Sequence, residues 1–88
     1  MNTPPTKEGI RLEVEVALES IAPDVDASAG NSAEDLFVEF DIDSMDFLHL
    51  ITRLAEHFGT SMPESDYPRM RSIDALVKYL SSALGQDL

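Results

Sequence analysis

Between Ser44 and Gly59 the chain keeps one uninterrupted helical period. Phe47, Leu50, Ile51, Leu54 and Phe58 stand at i, i+3, i+4, i+7 and i+11, a single apolar face on a 3.6-residue turn. Ser44 suits the N-cap, Asp46 falls in the favourable first turn, and Gly59 is placed to close the helix. A chain holding such a helix must find other apolar faces to cover it, and two more are present. Ile10, Val14, Leu18 and Ile21 recur at helical spacing with Ala17 beside them. Thr3 or Thr6 is the expected cap, Glu8 lies in the first turn, and Pro23 ends the run. Ile73, Leu76, Val77, Leu80 and Leu84 make the last face, with Ser72 as cap, Asp74 behind it and Gly85 at the end.

The connections are less regular. Ala22 to Asp35 is rich in Ala, Ser, Asp, Asn and Gly and reads as a long loop, a length uncommon in compact domains and often functional. Leu36, Phe37, Val38 and Phe40 could pass for a strand, but no second strand pairs with them, so they are expected as a loop segment on the core. Pro63 and Pro68 leave room for only a short helical turn around Tyr67 to Met70. The expected fold is all-α: a four-helix bundle of three longer helices and one short one, with a long first loop. Residues 1–88 form one domain, with 1–5 a loose start and 85–88 a tail. Each fully buried Leu, Ile or Phe contributes roughly 1.5–3 kcal/mol, so three such faces close a small core.

Charge narrows the partners. Asp and Glu outnumber Lys and Arg by 17 to 6, a formal charge of −11. Nucleic acid is a poor partner for such a surface, and a basic protein surface a better one. Solubility alone explains the excess acid equally well. There is no cysteine, so disulfides and thiolate metal sites are excluded, and any thiol chemistry has to come from a cofactor. No apolar run approaches the roughly 20 residues of a membrane span, and the first residues lack a signal peptide's apolar core. The expectation is a cytoplasmic monomer.

The chemistry concentrates in Phe40-Asp41-Ile42-Asp43-Ser44-Met45-Asp46-Phe47-Leu48. A serine at a helix start, between aspartates and after a loop, presents its hydroxyl to another protein. A phosphodiester there lies near the positive end of the helix dipole, worth about 0.3–1 kcal/mol. Asp43 and Asp46 oppose it, which suggests recognition by a basic partner as their purpose. Asp43-Ser44-Met45 resembles the Asp-Ser-Leu/Met signature of acyl carrier proteins. Glu39-Phe40 upstream, Glu56-His57-Phe58-Gly59 at the helix end, Met62-Pro63-Glu64, and Ser72 through Leu80 are similar to that family in order and spacing.

The resemblance implies that Ser44, flanked by Asp43 and Met45, carries a covalent 4′-phosphopantetheine arm delivered from coenzyme A by a phosphopantetheinyl transferase. It implies a non-catalytic carrier. The arm's thiol would hold acyl intermediates as thioesters between enzymes of fatty acid, polyketide or related specialised biosynthesis. Asp46, Met45, Leu48, His49 and Glu56 fall where the family meets acyl-transferring and condensing enzymes with basic surfaces. Leu48 borders the core equally well. Ile51, Leu54, Met62 and Ala75 fall where it lines an acyl pocket, and they are core residues on either reading. Asp41 stands where the family commonly has glycine, and His49 where it commonly has glutamate. Thr52 replaces an apolar contact, and Arg53 adds a positive charge. These departures point to a specialised pathway.

Other classes fit less well. His49 lies five residues past Ser44, about 140° around the helix, and no Gly-x-Ser-x-Gly elbow is present. His57 suits a surface position near the helix end. Asp41, Asp43 and Asp46 begin like a calcium loop, but Asp46 and Thr52 stand where that loop needs glycine and glutamate. A cofactor-free acidic interaction domain explains the helices but not the Asp-Ser-Met segment. Peptidyl or aminoacyl carriers share the same arm and remain open.

Overall fold

A computed structural model of the chain describes residues 6–85. Four α-helices follow one another: α1 (Lys7–Ile21), α2 (Leu36–Glu39), α3 (Ser44–Phe58) and α4 (Ile73–Ala83). Short 3₁₀ turns at Ala27–Ala29 and Glu64–Arg69 interrupt the two long connections. No strand occurs among the described residues, and the all-helical architecture is the one expected from the three apolar faces.

Those faces meet in one core. Ile10, Val14, Ala17 and Leu18 of α1 pack with Phe47, Leu50, Ile51 and Leu54 of α3 and with Ile73, Leu76, Val77 and Leu80 of α4. α1 lies against both α3 and α4. Polar contacts fix its register at the rim: Arg11 Nη2 reaches Asp74 Oδ1 on α4 at 2.6 Å, and Glu13 Oε2 lies 3.4 Å from His57 Nε2 on α3. The caps follow the sequence at α1 and α4. Thr6 Oγ1 accepts from Gly9 N at 3.0 Å, and Ser72 Oγ accepts from Ala75 N at 3.0 Å. The alternative cap, Thr3, lies outside the described residues, as do 1–5 and most of the tail. Gly59 takes the left-handed conformation, φ 62°, and its N–H bonds the carbonyl of Ala55, the glycine C-cap that a helix end favours.

Two connections differ from expectation. Leu36–Glu39 is a short helix rather than a loop segment. Asp35 caps it, accepting from Phe37 N at 2.8 Å, and Leu36 is fully buried while its N–H donates to Arg71 O at 2.7 Å. Local capping and one buried leucine override an apolar run that reads as extended. The helical turn around Tyr67 begins earlier than its prolines suggested, at Glu64, with Pro68 inside it. The long loop is pinned at several points. Glu19 Oε2 accepts from Ala27 N at 2.9 Å, Glu39 Oε2 from Asn31 N at 2.8 Å, and Ser32 O from Asp74 N at 3.0 Å.

Between α2 and α3 the backbone of Asp41 is left-handed, φ 53°. That conformation suits glycine and strains an aspartate. Asp41→Gly is expected to raise the urea midpoint. Relief of a strain of roughly 1–2 kcal/mol exceeds the roughly 0.5–1 kcal/mol of added unfolded-state entropy, and an unchanged or lowered midpoint would contradict this account. A second expectation concerns acid. Asp74 is held below its ordinary value of 3.8, first by the hydrogen bond from Arg11 and then by Ser32. Asp35 is held down first by the Phe37 N–H, opposed by desolvation, and then by the hydrogen bond and charge of Arg71. A carboxylate with a depressed folded value stabilises fully above its unfolded value, and that stability is lost as pH falls through the folded one. Asp74→Asn therefore lowers the urea midpoint at neutral pH, and the gap to the parent closes below about pH 3.8. A gap independent of pH would mean that Asp74 acts through packing alone.

Candidate functional site

The start of α3 is built by two aspartates acting on each other's backbone. Asp43, in extended conformation, is the N-cap; its Oδ1 accepts from Asp46 N at 2.8 Å, and Asp46 Oδ2 accepts from Asp43 N at 3.3 Å. This is a reciprocal capping box. The cap therefore falls on Asp43 and not, as the sequence suggested, on Ser44, which is the first helical residue. Serine and aspartate are about equal as caps, but only Asp43 has an aspartate three residues on to return the bond, and the extended residue is the one free to turn its side chain back. Ser44 is left exposed, with its hydroxyl outside both capping bonds. Asp46 N donates to Asp43 Oδ1 and Phe47 N to Asp43 O. The amides of Ser44 and Met45 stay outside the intrahelical ladder at the positive end of the helix.

Ser44 also forms part of the wall of a groove of about 500 Å³. Phe37, Phe47, Leu48, Tyr67 and Pro68 supply its apolar lining, and Glu64 and Arg71 its charged rim. Four separate segments contribute: α2, the first turns of α3, the second 3₁₀ turn, and Arg71 just before the α4 cap. The rings of Phe37 and Phe47 lie 5.3 Å apart, and those of Phe47 and Tyr67 5.4 Å apart, edge to face. The Arg71 guanidinium sits 4.3 Å over Phe37 while its Nη2 holds Asp35 at 2.8 Å.

The sequence-predicted residues divide between surface and core. Met45 and Leu48 are 61% and 43% exposed, unusual for large apolar side chains. His49 and Glu56 are also exposed, and Asp46 is half-buried by its capping role. Ile51, Leu54 and Met62 are buried in the core. Ala75 is only half-buried and opens on a depression with Arg69, Lys78, Tyr79 and Ser82. Leu54 borders a different one, with Glu13, Arg53 and His57. Neither depression touches Ser44, and neither histidine lines the groove beside it. Sequence reading did not anticipate Phe37, Tyr67, Pro68 or Arg71 beside the serine. Among the described residues no cluster of His, Cys, Asp or Glu could hold a metal ion, and no helix is long and apolar enough to cross a membrane.

The family described as phosphopantetheine attachment site matches residues 10–80. No curated protein matches the chain. Domains of this family take a covalent 4′-phosphopantetheine. The match starts at the first core residue of α1, crosses the α3 terminus with its exposed serine and ends at the core leucine of α4. The chain belongs to the phosphopantetheine attachment site family.

Proposed function

We propose that this protein is an acyl carrier whose Ser44 Oγ is the attachment point of the 4′-phosphopantetheine arm. The observation that supports this most is the exposed Ser44 hydroxyl, relieved of capping by Asp43 and standing at the head of a long helix. The residues present fit the group. The amides of Ser44 and Met45 and the positive helix end suit a phosphodiester. In the transfer, the Ser44 Oγ–phosphorus bond forms and the pyrophosphate bond of coenzyme A breaks. Adenosine bisphosphate leaves, and the hydroxyl proton passes to the transferase. Once attached, the arm supplies a thiol, which this cysteine-free chain lacks, and so the capacity to hold acyl groups as thioesters.

The chain itself does no catalysis in this reading; it presents the tethered cargo at high effective concentration to successive enzymes. Met45 and Leu48 are its apolar contacts with the transferase and with condensing and acyl-transferring enzymes; Asp46 and His49 lie beside them, and Glu56 extends the contact further along α3. His49, Thr52 and Arg53 on this helix fit a specialised pathway in the cytoplasm, served by a monomer.

Incubation with coenzyme A and a broad-specificity transferase is expected to add one phosphopantetheine to the parent and none to Ser44→Ala, read by intact mass. A folded parent that gains nothing from several transferases would favour a cofactor-free interaction domain. Transferase KM is expected to rise from low to moderate salt as screening shortens to about 8–10 Å. A KM independent of salt would remove the electrostatic share of recognition.

A further inference from the structure

Resting on the carrier reading, we infer that the acyl cargo lies in the surface groove beside Ser44 and does not enter the helical core. The groove thereby favours a compact, flat apolar head, such as an aromatic acyl group, over a long straight chain. The tether chooses the occupant. An arm that begins at Ser44 Oγ starts on the groove wall itself, so even weak docking is raised by its own effective concentration. A volume of about 500 Å³ suits a small ligand.

The floor explains why the core is closed to that cargo. Phe47 lies one turn below Ser44 on α3 and is 5% exposed, wedged between Phe37 and Tyr67. Ile51, Leu54 and Met62 lie inside the core, and none of them reaches the groove. A chain running inward from Ser44 has to displace a ring held by two others. Phe37 is in turn held by Arg71, which Asp35 fixes through Nε at 3.0 Å and Nη2 at 2.8 Å. Pro68 and Leu48 complete an apolar wall outside this layer. A planar head meets ring edges and faces there in the geometries aromatic pairs favour, whereas a long alkyl chain outruns the groove and trails into water.

The test loads Ser44 from benzoyl- and dodecanoyl-coenzyme A with a transferase, checks each product by intact mass, and follows aromatic and methyl resonances by NMR. Benzoyl cargo is expected to shift Phe37, Phe47, Leu48 and Tyr67, and neither cargo to shift the Ile51, Leu54 or Leu76 methyls. Tyr67→Ala removes a half-buried ring; it is expected to gain the same mass and to lose the benzoyl-induced shifts at Phe37 and Phe47. Movement of the Ile51 and Leu54 methyls by dodecanoyl cargo would overturn the inference. So would silent ring resonances with benzoyl, or benzoyl shifts that persist in Tyr67→Ala. Loaded protein with any of these results leaves the carrier reading standing. No mass gain at all overturns that reading and the inference with it.

Discussion

Two carboxylates and two amides at the head of α3 set the terms for the rest of the molecule. Asp43 takes the Asp46 N–H, and Asp46 takes the Asp43 N–H, so two of the helix's orphan donors are satisfied without recruiting Ser44. The consequence is chemical as well as structural. A serine used as a cap has its oxygen committed to the backbone, whereas a serine at the first helical position keeps both lone pairs and its proton available. The same bonds fix where α3 begins. That start decides that Phe47, one turn on, points into the aromatic layer and that Leu50, Ile51 and Leu54 face α1. Position and availability of the hydroxyl thus come from one local motif.

The acidic flank of Ser44 looks at first like a contradiction, because two negative charges oppose a phosphodiester. The capping box resolves part of it. Each carboxylate accepts an amide proton, and both sit where the helix dipole favours negative charge. Their residual field still points outward. With Asp41 exposed beside them, the approach to Ser44 is acidic, while the amides of Ser44 and Met45 stay outside the helical ladder. In the proposed carrier such an arrangement attracts a basic enzyme from a distance and leaves close contact to Met45 and Leu48, the exposed apolar side chains of the same turns. Long-range steering and short-range docking are then carried by different residues on one helix end.

The three long helices were legible because each combines an apolar period with a cap and a stop, and those signals are local. The cap on α3 was misplaced by one residue for an instructive reason. Serine and aspartate cap equally well, and only the Asp-x-x-Asp spacing, which makes the reciprocal pair possible, separates them. Leu36 to Glu39 reads as loop because one turn capped by Asp35 is too short to show a period, and part of what holds it, the Leu36 N–H bonded to the Arg71 carbonyl, comes from far along the chain. The groove was harder still. Phe37, Phe47, Tyr67 and Arg71 are spread over four segments, and no spacing rule relates them. Their adjacency exists only after α2 and the 3₁₀ turn have closed against α3.

This difference separates what the family shares from what the chain decides for itself. The proposed attachment point, Ser44, follows from a short segment and a helix end, inside the stretch 10–80 that the family matches. The surroundings of the arm follow from side chains that only tertiary structure brings together, and here those are aromatic. Phe47 touches two other rings, and one of them, Phe37, lies under the ion-paired Arg71, so moving Phe47 breaks both ring contacts and disturbs the Phe37–Arg71 pair. Close-packed interiors yield in discrete steps rather than continuously. A carrier with such a floor therefore admits cargo beside the core or repacks outright, and the choice between them rests on Phe47 and its two neighbours.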